Sequence, residues 1–114
     1  METVDVARRI VEAASDRQAS DIVLMDTRQA CSFADYFVIC NGESERQIEA
    51  IRKAIDDVLE EEGIVPHHRE GTADSGWVLL DLGGVIVHIF TPFEREYYQL
   101  ERLWSKAQLL LRIM

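Results

Sequence analysis

Asp81 and His88 carry the chemistry this sequence most readily offers, a carboxylate and an imidazole on either side of Gly83-Gly84. Trp77 to Phe90 reads W-V-L-L-D-L-G-G-V-I-V-H-I-F, two alternating apolar runs around a two-residue loop, which is the pattern of a tight β-hairpin. Such a loop fixes the register: Leu82 faces Val85, Asp81 faces Ile86, Leu80 faces Val87, Leu79 faces His88, Val78 faces Ile89 and Trp77 faces Phe90. Asp81 and His88 then share one face on a diagonal, near enough for a structural hydrogen bond. A catalytic dyad is disfavoured, because no third group with a nucleophile's role stands beside them.

Other constellations are thinner. Asn41-Gly42-Glu43-Ser44-Glu45-Arg46-Gln47 lies between a strand and a helix N-terminus, where backbone N–H groups can hold a phosphate. One glycine among glutamates is neither a P-loop nor a dinucleotide fingerprint, and Ser44 and Gln47 already serve as helix caps. A strand-Gly-x-Ser-helix start is also shared with nucleotidyltransferases, which need carboxylates spaced D-x-D to bind two metal ions. Here Asp81 is followed by Leu82 and Gly83, so that active site is not expected. Cys31, Cys40, His67, His68 and His88 match no zinc spacing, and no metal or other cofactor is expected. The cysteines are expected to be reduced thiols, with Cys40 buried at a strand end.

The hairpin has two unlike faces. Val78, Leu80, Leu82, Val85, Val87 and Ile89 make a wholly aliphatic face suited to a core. Trp77, Leu79, Asp81, Ile86, His88 and Phe90 make a mixed face, too apolar for water and too polar for pure core, as on surfaces that meet another protein. Helices packed on both sides of the sheet would instead bury Trp77 and Phe90, and both readings stand at this point.

The 114 residues give room for one domain, 1–114, and 47% hydrophobic content supplies one modest core. No apolar run approaches the ~20 residues of a membrane span and the N-terminus is no signal peptide, so a cytoplasmic location is expected. Twenty-one acidic residues against twelve basic give a net charge of −9. That surface repels nucleic acid and offers no basic stripe for it, whereas a basic protein would be steered towards it.

The elements that position these residues follow from periodicity. Ala7, Ile10, Val11 and Ala14 predict a helix over 3–17, and Ile22 to Met25 a strand covered on both faces. Asp35 to Cys40 is a β-branched and aromatic strand that stops at Asn41-Gly42. Ser44 and Gln47 form a capping box for a helix whose stripe runs through Ile48, Ile51, Ile55, Val58 and Leu59 up to Gly63. Its last turn holds Glu60, Glu61 and Glu62, read either as a solvated end or as a dock for a basic partner. Pro66 to Glu70 is an edge strand and Gly71 to Gly76 a loop. Thr91-Pro92-Phe93-Glu94 starts a helix whose stripe is Tyr97, Leu100, Leu103-Trp104 and Ala107, and the apolar tail 109–114 extends it against the core or a twin subunit. Tyr97 and Tyr98 point about 100° apart on that helix, so Tyr98 is expected to be the exposed one.

Taken together, Asp35-Tyr36-Phe37-Val38-Ile39, Gly42-x-Ser44-x-Arg46-Gln47, Glu70-Gly71, Trp77-x-x-x-Asp81-x-Gly83, Val87-His88-Ile89-Phe90 and Arg95-x-Tyr97-Tyr98-x-Leu100-Glu101-x-Leu103-Trp104 resemble the ribosomal silencing factor family (RsfS, Iojap). Two departures are Gly84, where that family often has an acidic residue, and Asn41, where Thr or Ser is common. Gly84 suits a type I′ turn. The resemblance implies a single α/β domain with a mixed five-stranded sheet and packed helices, similar to nucleotidyltransferases without their active site. It implies no enzyme activity and no cofactor. It further implies binding to ribosomal protein fourteen of the large ribosomal subunit, blocking its joining with the small subunit when nutrients are short, and a homodimer when free. The alternatives are a large-subunit assembly factor and a nucleotide- or phosphate-binding module. Trp77, Leu79, Asp81, His88, Phe90 and Tyr98 are the residues expected to meet the partner, with little direct nucleic-acid contact and no membrane.

Overall fold

Strands whose side chains are apolar on both sides need cover on both faces, and here the helices supply it unequally. The computed structural model describes residues 2–103 and 106–114. The elements are α1 (Thr3–Asp16), β1 (Ser20–Asp26), β2 (Tyr36–Asn41), α2 (Glu45–Glu61), β3 (His68–Glu70), a 3-10 turn (Ala73–Ser75), β4 (Trp77–Asp81), β5 (Val85–Phe90), α3 (Pro92–Tyr98), α4 (Leu100–Leu103) and β6 (Gln108–Ile113). The strands form one mixed sheet in the order β3-β4-β5-β2-β1-β6, with β2 and β5 parallel and the other pairs antiparallel. Helices α1 and α2 lie on the face carrying Ile22, Leu24, Val38, Cys40, Val87 and Ile89, all fully buried with the helical Ile10, Ile48, Ile51 and Ile55. Val23, Met25, Phe37, Ile39, Ile86 and Phe90 form a smaller apolar cluster on the opposite face.

The hairpin register is the expected one, from Trp77 opposite Phe90 to Asp81 opposite Ile86. Only Gly83 of the turn takes a positive φ, 94°, so the turn is of type II′ in place of the expected I′. Gly84 is required for a different reason. A Cβ there would sit 2.8 Å from Thr3 Cγ2, and its carbonyl accepts hydrogen bonds from the N–H groups of Asp35 and Tyr36 at 2.8 and 3.0 Å.

At the start of α2 the Gln47 N–H donates to Ser44 Oγ at 3.1 Å, but the Gln47 side chain accepts from Glu43 N–H and donates to the carbonyls of Arg17 and Gln18. The expected reciprocal cap is thus shifted by one residue and also ties α2 to the end of α1. The acidic end of α2 is neither free nor merely solvated: Arg9 of α1 binds Glu61 at 2.8 Å and also Glu62.

The C-terminal part departs most from expectation. Helix α3 stops at Tyr98 because Gln99 adopts a left-handed conformation, φ 47°, with its N–H on the Arg95 carbonyl. Leu100 then turns inward and is buried. Residues 108–113 do not extend a helix but form β6, a sixth strand paired with β1 from Ile22–Ile113 to Asp26–Gln108. The buried strand β1 needs backbone hydrogen-bond partners on its outer edge, and β6 provides them. Trp104, expected on the helical stripe, lies outside the described residues.

Because β6 covers the edge of β1 with outward-facing side chains, truncations on the two strands should differ sharply. Leu24→Ala is expected to lower the unfolding free energy by about 2–5 kcal/mol, and Leu110→Ala by less than about 1 kcal/mol, in urea titrations. Equal losses would place the tail in the core.

Candidate functional site: an aromatic face on the sheet

Among the described residues no long helix covers the β4–β5 end of the second sheet face. The structure divides the residues expected there into two layers. Phe90 and His88 are buried, at 0% and 4% exposure, and so is Ile86. Trp77, Leu79 and Asp81, their cross-strand neighbours, are half-buried. Tyr98 reaches over from α3, its ring centroid 4.5 Å from that of Trp77, which in turn lies 4.9 Å from Phe90. His88 and Phe90 therefore buttress the surface from the neighbouring strand, and Trp77, Leu79 and Tyr98 form it.

Tyr98 is exposed as expected, but Tyr97, expected on the buried stripe, is more exposed still. Tyr97 is 71% exposed and Tyr98 40%. Tyr98 rests on Trp77, while Tyr97 lies edge-on to Tyr98 at 5.0 Å and beside exposed Phe93 at 6.5 Å. The stripe argument fails because the left-handed Gln99 breaks the helical phase between Tyr97 and Leu100.

Asp81 and His88 do not bond each other. Asp81 Oδ1 accepts the Gly83 N–H at 2.9 Å, which stiffens the hairpin turn. His88 Nδ1 accepts from the Trp77 indole N–H at 3.2 Å, and this fixes the neutral tautomer with the proton on Nε2. Phe37 meets the imidazole edge-on at 5.1 Å, and Nε2 has no hydrogen-bond partner among the described residues. Burial pushes the His88 pKa down to about 4. A neutral imidazole serving as acceptor for a tryptophan is a positioning device for that tryptophan.

Arg95, which the sequence reading singled out only as part of a motif, anchors α3. The residue is 6% exposed, and its guanidinium donates to Asn41 Oδ1 and the Asp21 carbonyl, both at 2.8 Å, and to Glu101 at 3.2 Å. Asp21 also receives two bonds from Arg112 of β6, at 2.9 and 3.1 Å. Asn41, from the loop considered for phosphate, is committed to this network. The signal available in the sequence was an arginine one residue before Glu96 in a short, well-capped helix, which does not distinguish a buried anchor from a solvated charge. Burial pushes the Cys40 thiol up to about 12, so it is not an activated nucleophile, and Cys31 donates weakly to the Ala34 carbonyl at 3.5 Å.

Beside Trp77 and Tyr98 a recess of about 260 Å³ opens, bordered by Leu79, Ser75, Glu70 and Glu94. Thr91 Oγ1 caps α3 by accepting the Glu94 N–H at 3.3 Å. The Thr91 N–H goes to the Gly76 carbonyl at 2.9 Å, so the Glu94 carboxylate does not form a reciprocal cap with it.

Comparison with known proteins places this arrangement. The family model RsfS, "Ribosomal silencing factor during starvation", matches residues 1–112. A ribosomal silencing factor RsfS of Bacillus subtilis is 45% identical over 97 residues, covering 85% of this chain and 82% of the relative. The chloroplastic protein Iojap of Zea mays is 33% identical over 106 residues, covering 93% of this chain and 46% of the plant protein. A crystal structure from Chromobacterium violaceum superposes with a TM-score of 0.87 at 33% identity, covering 92% of this chain and 88% of its own. One from Bacillus halodurans gives 0.82 at 36% identity, covering 96% and 99%.

The buried imidazole makes stability depend on pH with a definite sign. The folded-state pKa of about 4 lies below the unfolded value near 6.5, so the unfolded chain takes up the proton first. The contribution of His88 is whole above pH ~6.5 and is lost as the pH falls towards 4, at up to about 1.4 kcal/mol per pH unit. His88→Gln keeps an acceptor for the Trp77 indole and should remove most of that loss in urea titrations between about pH 7 and pH 5. An unchanged pH slope in this variant would contradict the assignment.

Proposed function

This chain belongs to the ribosomal silencing factor family, and on that premise we propose that it silences translation by docking on ribosomal protein fourteen of the large subunit and standing where the small subunit must bind. Family membership carries a ribosome-associated, translation-silencing role. The observation that supports the finer reading is the uncovered layer of Trp77, Leu79 and Tyr98, continued by exposed Phe93 and Tyr97 on α3. Large aromatic side chains backed by a rigid buried layer are the usual centres of protein–protein interfaces. Net charge of −9 suits a basic ribosomal protein over RNA, steering the encounter while the aromatics, which salt barely screens, hold the complex. Blocking is steric and asks for no chemistry from the chain. No described helix is long and apolar enough to cross a membrane, and the proposed site of action is the cytoplasm.

In the free protein β6 is the outer strand of the sheet, with Leu109, Leu110, Leu111 and Ile113 exposed. Its only charge, Arg112, is engaged by Asp21. An edge of this length without lysine, proline or a covering helix is a template for another strand, and a second copy of the chain is the proposed occupant.

Two measurements test these readings. Added to purified large and small subunits, the protein should reduce the fraction of joined particles on sedimentation. Tyr98→Ala, still folded by its thermal transition, should weaken binding to the large subunit by about 2 kcal/mol, roughly thirtyfold, and restore joining. Association should slow with salt while dissociation stays nearly constant; joining unaffected by the wild-type protein would overturn the repressor reading. Light scattering of the free protein should give a dimer mass that Leu109→Lys converts to a monomer, and a monomeric wild-type chain would remove the β6 pairing.

A further inference from the structure

The recess beside Trp77 and Tyr98 has a chemical character of its own. Glu94 and Tyr98 are four residues apart on α3 and so share a helix face, which turns the carboxylate and the phenol to the same side. The capping bond that would occupy the Glu94 carboxylate is replaced by Thr91 N–H to Gly76, and among the described residues Glu94 has no side-chain hydrogen bond or ion pair. Across the opening stands exposed Glu70, at the end of the edge strand β3, with one carboxylate oxygen hydrogen-bonded to exposed His68 Nε2 at 2.8 Å and the other open. Trp77 and Tyr98 offer ring surface between the two carboxylates, and among the described residues no arginine or lysine borders the space. At about 260 Å³ the recess is smaller than the ~300–1,000 Å³ of small-molecule sites, a size for one long side chain.

We propose that this recess receives a cationic side chain of the partner protein, its charge between Glu94 and Glu70 and its stem against Trp77 and Tyr98. The inference rests on the docking face proposed above and names the chemistry that face selects. Arginine fits best, since a planar guanidinium stacks on aromatic rings and gives forked hydrogen bonds to carboxylates. The chain's own nearest arginine on that helix, Arg95, is turned inward to Asn41 and Asp21 and leaves the position open to an incoming cation. A half-buried carboxylate without a partner is costly to keep, and a partner's cation relieves that cost only in the complex.

The test separates the recess from the ribosome. The first arm titrates the full-length protein with the capped peptide Gly-Arg-Gly and follows the indole N–H resonance of Trp77. The same peptide with citrulline, which keeps the shape and drops the charge, is the control. A shift with arginine that is absent with citrulline and abolished in Glu70→Gln/Glu94→Gln supports the recess; no shift, or equal shifts with both peptides, overturns it. The second arm measures binding to purified large subunits. The double variant should bind roughly tenfold more weakly and with a shallower salt dependence, whereas Tyr98→Ala should bind weakly with the salt dependence kept. Wild-type binding by the double variant, with Tyr98→Ala impaired, overturns the recess and leaves the docking face standing. A peptide response together with no subunit binding by the wild-type chain overturns the docking proposal and leaves the recess.

Discussion

The constraint on which the site depends is the burial of the Arg95 guanidinium. Removing such a charge from water costs on the order of several kcal/mol unless it is compensated. Here groups from three separate parts of the chain accept from Nε and Nη1, while Nη2 lies 3.5 Å from the Asp21 carboxylate without a hydrogen bond of its own among the described residues. Asn41 at the end of β2, Asp21 at the start of β1 and Glu101 in α4 converge on it. Once Arg95 points inward, the rotation of α3 is no longer free. Tyr98 must fall on Trp77, Glu94 must face the recess, and Tyr97 is left outside. Asp21 accommodates the arrangement with a positive φ of 46° within an irregular stretch of β1, local backbone strain that the surrounding bonds hold in place.

From the other side, His88 does for Trp77 what Arg95 does for α3. The imidazole is buried in the hairpin and kept neutral, so it presents a fixed acceptor to the indole N–H. Phe90 and Tyr98 pack against Trp77 and against each other, and Trp77 is left half-buried with little freedom to rotate. A pre-organised aromatic surface loses less entropy on binding than a mobile one. The polar groups of the mixed hairpin face are thus spent on orientation, Asp81 on the turn and His88 on Trp77, and not on catalysis between them.

Where the sequence carried a strict period, its reading held. The two-residue loop and alternating pattern of 77–90 fixed every cross-strand pair, and Ser44 and Thr91 marked the starts of α2 and α3. The family was legible in the ordered motifs, and its model covers residues 1–112. The tail was not legible, because a run such as Leu109-Leu110-Leu111 is as apolar on a helix as on a strand and only the vacant edge of β1 decides between them. Tyr97 was misassigned to the buried stripe because one left-handed residue, Gln99, reset the helical phase, whereas Tyr98 is exposed as expected. The inward turn of Arg95, and with it the freeing of Glu94, depends on partners at Asp21 and Asn41, far apart in sequence.

The central claim, that the Trp77 and Tyr98 face is what meets the large subunit, is tested most directly by oxidative footprinting of the chain alone and bound to purified large subunits. Protection is predicted at Trp77, Phe93, Tyr97 and Tyr98, with the outer surfaces of α1 and α2 unchanged. Protection confined to α1, α2 or β6, with Trp77 and Tyr98 as reactive as in the free chain, would contradict it.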